Sequence, residues 1–136
     1  MTGLPVSPDR SPSSKSIPIP AGTHHQLLTI QDVGKALNPA AVEGQILGGT
    51  VQAMGFGLFE SMVYGDDGQL ISETMMDYGI PKADQVPSME TIMIEIPSRS
   101  GPFGAKGVGE PPIVPGAAAI ANAVAAATGS ASPRCR

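Results

Sequence analysis

The chain has 136 residues, 41% of them hydrophobic, which is enough for one domain. It has no Trp, two Tyr and three Phe, so a core must come from Ile, Val, Leu, Met and Ala and will be thin. A formal charge of −4 offers no basic stripe to a nucleic-acid backbone, and one cysteine, Cys135, excludes an intramolecular disulfide framework or a cysteine metal cluster within the chain.

Residues 1–25 are rich in Pro and Ser, lack apolar periodicity and read as a disordered arm. Prolines break Ile17-Pro18-Ile19-Pro20, so there is no signal-peptide core, and no span reaches the ~20 apolar residues of a membrane helix. A cytoplasmic protein without membrane contact is expected. His24-His25 has no carboxylate or thiolate neighbour and reads as solvated rather than metal-binding.

Order is expected to begin at Gln26, with a short strand over 27–30. Asn38 is a good N-cap and Pro39 suits the first helical position, which predicts a helix over 39–59. Val42, Ile46, Val51, Met54 and Leu58 form one apolar set along it. Gln45, Gly48, Gly49, Gln52 and Gly55 form a second stripe, in which each interior glycine costs about 1 kcal/mol against Ala. Two readings fit that stripe: close packing against a neighbouring element, or the approach of a polar ligand to the backbone between two amides.

Gly65-Asp66-Asp67-Gly68 predicts a hairpin turn between arms at 59–64 and 69–74, with the aspartates serving the turn rather than a calcium site. Residues 75–81 read as an extended connection and 82–87 as polar surface, with Met75, Met76 and Met89 as adaptable packing. Residues 91–96 alternate, Ile92, Ile94 and Ile96 on one face and Thr91, Met93 and Glu95 on the other, as in a half-buried strand. An alanine-rich helix follows over 115–128, closed by Gly129, and residues 130–136 read as a disordered tail. The fold class expected is α+β, an incomplete domain over 26–129 with two main helices and a few mostly antiparallel strands.

The segment richest in chemistry is Gly104-Ala105-Lys106-Gly107-Val108-Gly109-Glu110-Pro111-Pro112. Alternate glycines let the main chain lie close to a bound group, the prolines fix the exit direction, and Glu110 is a candidate general base. A following helix favours the ionised carboxylate, whereas burial beside an apolar substrate opposes it, and the sequence leaves that balance open. As a bare pattern, the same stretch is also compatible with a surface turn. Phosphate or nucleotide binding by this loop is the weakest reading, because Lys106 is not followed by Ser or Thr and no dinucleotide fingerprint is complete.

Taken together, Asp32-Val33-Gly34-Lys35-Ala36-Leu37-Asn38-Pro39, Gly44-Gln45-Ile46-Leu47-Gly48-Gly49 with Gln52, and the Gly104 to Pro112 loop resemble the xanthine dehydrogenase and aldehyde oxidase family of molybdenum hydroxylases. The likeness is to the C-terminal part of the second molybdopterin-binding domain of their large subunit. It implies that Glu110 is the catalytic general base, and that Gln45, Lys106, Gly107, Val108 and Gly109 line the molybdenum-molybdopterin site. It further implies hydroxylation of a small organic substrate, an aldehyde or N-heterocycle, with iron-sulfur clusters and FAD on partner domains or subunits. The expected partners are the rest of the large subunit, an iron-sulfur subunit and a flavin subunit.

Residues 1–25 and the 130–136 tail depart from the family pattern, as does Ala53, which stands where Gly commonly follows the second glutamine. The family's large subunit is several times longer. These departures suggest a truncated reading frame, inactive alone, and raise a second reading, a non-catalytic remnant that docks on other subunits.

Overall fold

The computed structural model describes residues 26–129; the expectations for 1–25 and 130–136, including those for His24, His25 and Cys135, fall outside them. Strand β1 (Gln26–Asp32) leads through a tight corner into helix α1 (Pro39–Met54), strand β2 (Ser88–Ile94) returns beside β1, and helix α2 (Gly116–Thr128) follows. Asn38 caps α1 as its sequence predicts: its side-chain oxygen accepts the Ala41 N–H at 3.2 Å.

The class is α+β and the domain incomplete, but one expectation fails: β1 and β2 are parallel, Gln26 opposite Ser88 through Asp32 opposite Ile94. A β-helix-β crossover accounts for this, because α1 and the connection after it carry the chain back to the start of the sheet. The predicted hairpin is reduced to a single antiparallel bridge, Tyr64 with Leu70, around a turn in which Gly68 adopts φ +82°. Asp67 serves that turn, its carboxylate accepting the Gln69 N–H at 3.0 Å. Residues 74–78 are a tight turn rather than extended. Thr74 organises it, its carbonyl accepting the Asp77 and Tyr78 N–H groups and its hydroxyl donating to Asp77 at 2.6 Å.

The α1 helix continues as a π-helical turn over Gly55–Phe59, where the Glu60 N–H reaches back five residues to the Gly55 carbonyl at 2.9 Å. Tyr78 donates to Glu60 at 2.5 Å and ties the following turn to this helix end. That bond pushes the Tyr78 phenol above its ordinary value.

The 3₁₀ turn Pro111–Ile113 and α2 lie along α1 and its π-helical end by a run of small contacts. A Cβ at Gly49 would lie 2.9 Å from Pro112, one at Gly116 2.2 Å from Ala53, and one at Gly57 2.7 Å from Ile120. Positions 49, 53 and 57, one helical turn apart, thus receive Pro112, Gly116 and Ile120 in turn.

The core is as thin as the composition requires. Val33, Ala36 and Ile46 are buried together with Val42, Met93 and Val108 packed around them, and Ala53 and Met54 are buried further along α1. Met75 and Met76 are not packing residues; they stand 73% and 85% exposed. The strand faces are also reversed from expectation. Met89, Thr91 and Met93 turn toward the half-buried side, whereas Ile92, Ile94 and Ile96 are exposed, as are Leu28 and Ile30 of β1.

The joined helical run Pro111–Thr128 reaches 18 residues and is apolar enough by composition to cross a membrane, which the sequence had not suggested. Its regular α-helical part, α2, has 13 residues. That is about 20 Å, short of the about 30 Å of a bilayer's hydrocarbon layer.

Candidate functional site

The corner between β1 and α1 is built on Asp32 and Gly34. One Asp32 carboxylate oxygen accepts the Gly34 N–H at 2.9 Å and the Ile96 N–H at 3.3 Å. The other accepts the Lys106 ammonium at 2.6 Å. Gly34 takes φ +66°, and a Cβ there would sit 2.4 Å from the Gly104 carbonyl oxygen and 2.8 Å from the Lys106 nitrogen. Glycine is therefore required twice, by its dihedral and by the backbone lying against it. Across this contact Gly34 and Ala105 form an antiparallel bridge, in which the Lys35 N–H donates to Gly104 at 2.8 Å and the Lys106 N–H to Val33 at 3.1 Å.

The glycine loop is consequently held at both ends. Lys106 fixes one end to the β1 corner, and buried Pro112, seated on Gly49 of α1, fixes the other. Between them the Val108 side chain packs on the core, whereas a Cβ at Gly107 would meet nothing within 4 Å. Among the described residues, the N–H groups of Gly107, Val108, Gly109 and Glu110 donate to no protein acceptor. This makes a short strip of main-chain donors on a fixed support, chemistry suited to a ligand rich in oxygen acceptors.

Gln45 is where α1 meets this strip. Its side-chain oxygen lies 3.8 Å from a Cβ built on Gly109. A shallow groove of about 180 Å³ runs between α1 and the loop, and Gln45, Lys106 and Val108 line it together with Lys35, Asn38 and Val42. Gly107, Gly109 and Glu110 lie outside that lining, on the stretch that continues from it. Glu110 is exposed and begins the short 3₁₀ turn Pro111–Ile113; its carbonyl accepts the Ile113 N–H at 2.9 Å, and its side chain makes no capping bond. The Lys106 side chain is committed to Asp32 and its N–H to Val33, so Lys106 anchors the loop and the donors left for a ligand begin at Gly107.

The glycine stripe of α1 divides between the two readings left open by sequence. Gly49 and Gly55 are buried and packed, Gly49 on Pro112 and Gly55 on the Glu60 carboxylate. Gly44 and Gly48 have open space where a Cβ would stand, and Gln45, Gly48 and Gln52 share an exposed face at i, i+3 and i+7.

Asp32 is the residue that sequence reasoning passed over. The signal was present in Asp32-Val33-Gly34, an Asp whose side chain can accept the N–H two residues on. Its bond to a lysine 74 residues away had no local signature. Lys106 and the Gly34 N–H hold the Asp32 carboxyl below its ordinary value of 3.8. Glu95, which accepts the Ala36 N–H at 3.1 Å and pairs with Lys35 at 3.1 Å, is held below 4.5 for the same kinds of reason, the Ala36 bond first. Both folded values lie under the unfolded ones. The stability these groups contribute is therefore present above their ordinary values and is lost as pH falls through the folded ones. Urea midpoints measured from pH 6 down to pH 2 are expected to fall below about pH 4.5, and Asp32→Asn is expected to lower the pH 6 midpoint and flatten that decline.

Residues 23–87 match the family of the molybdopterin cofactor-binding domain. The putative xanthine dehydrogenase molybdenum-binding subunit XdhA of Escherichia coli K12 is 40% identical over 110 residues, covering 80% of this chain and 15% of that protein. The crystal structure of quinoline 2-oxidoreductase from Pseudomonas putida 86 superposes with a TM-score of 0.68 at 43% identity, over 71% of this chain and 12% of that one. The chain belongs to the molybdenum hydroxylase family. A second hydroxylase structure, the aldehyde oxidoreductase of Desulfovibrio gigas, superposes with a TM-score of 0.65 at 37% identity, over 75% of this chain and 11% of that one. Within the molybdenum hydroxylases, the 110 matched residues thus correspond to a part of the molybdenum-binding large subunit, 15% of the length of the E. coli relative.

Proposed function

We propose that this segment supplies the general base and one wall of the molybdenum-cofactor site in a hydroxylase that oxidises an aldehyde or an N-heterocycle. The observation that carries the proposal is the loop between Lys106 and Pro112, fixed at both ends, with four N–H groups that have no protein acceptor among the described residues, Gly109 of them beside Gln45, and the exposed Glu110 carboxylate at its end.

The residues present fit the cofactor. Oxygen acceptors suit the main-chain donors of Gly107, Val108, Gly109 and Glu110, and the Gln45 amide offers both a donor and an acceptor alongside. Gly48 leaves the α1 backbone open between Gln45 and Gln52. When bound, the molybdenum cofactor supplies the two-electron oxidation. In this reading Glu110 would be the proton acceptor beside the bound group, and the paired Lys106 and Asp32 would keep the loop from moving away. Gln45 orients the bound group from the helix side.

One helix and one loop form only part of a cage, so the chain by itself is expected neither to retain molybdenum nor to turn over substrate. The rest of the large subunit completes the site, and iron-sulfur and flavin partners carry the electrons away. The setting proposed is cytoplasmic. A non-catalytic docking remnant is the competing reading. Co-expression with the missing large-subunit polypeptide separates the two: metal content and hydroxylation of an aldehyde or N-heterocycle appear in the complex, or the remnant reading stands.

Gly48→Ala offers a sharper test, because its two effects have opposite signs. A methyl group at Gly48 meets nothing within 4 Å, so the change is expected to stabilise the chain by about 1 kcal/mol through helix propensity. In the complex it is expected to lower molybdenum content, since the methyl occupies the open face. A stabilised variant with undiminished molybdenum content would remove Gly48 from the site.

A further inference from the structure

Two parallel strands seldom stand with a bare face, because crossover connections normally place cover on both sides of a parallel sheet. Here α1 covers one face. The other carries Leu28 and Ile30 of β1 beside Ile92 and Ile94 of β2, with Ile96 just beyond, each between 43% and 58% exposed. In register, Ile30 stands opposite Ile92, with Leu28 and Ile94 diagonal to that pair, so the four side chains form an apolar diagonal bordered by Glu90 opposite Leu28 and Asp32 opposite Ile94. Both outer edges of the sheet are also unpaired among the described residues.

We infer that this face and the two free edges are the seat of large-subunit polypeptide lying beyond this chain, which adds strands to the sheet and covers its apolar side. The inference rests on the reading under "Proposed function" and assigns the surface by which the missing part is held. Size argues against a second copy of this chain. Seven residues by two strands make a face of about 23 by 10 Å, or about 230 Å², whereas a stable specific interface needs about 800 Å² from each partner. A chain that also pairs with both edges reaches the larger area, and relatives whose length is about seven times the matched segment have the polypeptide to do it. Charge argues against a lipid surface, since the chain carries a net −4 and the only charged residues in these registers are Glu90 and Asp32, both acidic.

The test co-expresses the 136-residue chain with the tagged E. coli relative from which the matching 110 residues have been removed. Copurification of the wild-type chain is expected, with at least a tenfold loss in Ile30→Lys/Ile92→Lys. Met76→Lys, on the exposed turn away from the sheet, is expected to copurify as the wild type does. Hydrogen exchange on the wild-type complex provides a readout that needs no variant: outward-facing amides of β1 and β2 become protected on association. Any of three results overturns the inference: no copurification of the wild type, no new protection in the strands, or a wild-type chain that sediments alone as a dimer dissociated by the double substitution. A complex that forms with the expected protection but has no hydroxylase activity counts against the Glu110 assignment and leaves the docking surface in place.

Discussion

Glu110→Gln is expected to lower hydroxylation by the reconstituted assembly about a thousandfold, while the molybdenum content of the complex stays at the wild-type level. General-base catalysis is worth about 10²–10⁴ in rate, and a factor of 10³ corresponds to about 4 kcal/mol of barrier. Glutamine keeps the size of the side chain and its capacity to hydrogen-bond but cannot accept a proton at neutral pH. The backbone around it does not depend on the carboxylate: the Glu110 carbonyl holds the Ile113 N–H, and the side chain caps nothing. A structural role for Glu110 would therefore show as lost metal or lost complex, and a proton-transfer role as lost rate alone. Turnover within threefold of the wild type would end the assignment of Glu110 as the base.

The parts of this chain that could be read from sequence are those fixed within a few residues. Asn38 and Pro39 announce the start of α1 because a cap bond spans three residues. Asp67 and Gly68 announce a turn for the same reason. Strand direction depends on a partner about sixty residues away, and alternation in 91–96 reveals two faces without revealing which one α1 will take. The isoleucines look like the buried set until the sheet is seen against α1, where Thr29 and Thr50 share a 2.9 Å hydrogen bond and the half-buried partners are Met89, Thr91 and Met93. In a complete domain both faces are covered, so hydropathy alone carries no instruction about which cover this chain supplies. The candidate site shows the same division. The glycine spacing and Glu110 are visible in one short run, whereas the Asp32 latch on Lys106 and the seating of Pro112 on Gly49 exist only once distant segments meet.

Those two attachments make the second large effect predictable. Gly34→Val is expected to destabilise the chain by about 3 kcal/mol or more and to release the glycine loop. A β-branched residue at φ +66° is a steric outlier costing about 1–3 kcal/mol before any contact is counted. Here the new Cβ is also driven into backbone on the opposing segment, at 2.4 Å from the Gly104 oxygen and 2.8 Å from the Lys106 nitrogen, where no side-chain rotation can relieve it. Separation of the two segments is the remaining escape, and it breaks the Lys35 to Gly104 and Lys106 to Val33 hydrogen bonds together. Gly107→Val, three residues before Glu110, has open space for its Cβ and no left-handed dihedral, so it is expected to stay within about 1 kcal/mol of the wild type. Urea midpoints give the first comparison, and amide exchange at Lys35 and Lys106 gives the second. Loop release raises exchange at both sites in Gly34→Val and at neither in Gly107→Val. If Gly34→Val left both amides protected, the corner at Asp32 and Gly34 would not be what holds the loop, and the positioning role given to the Asp32–Lys106 pair would fall with it.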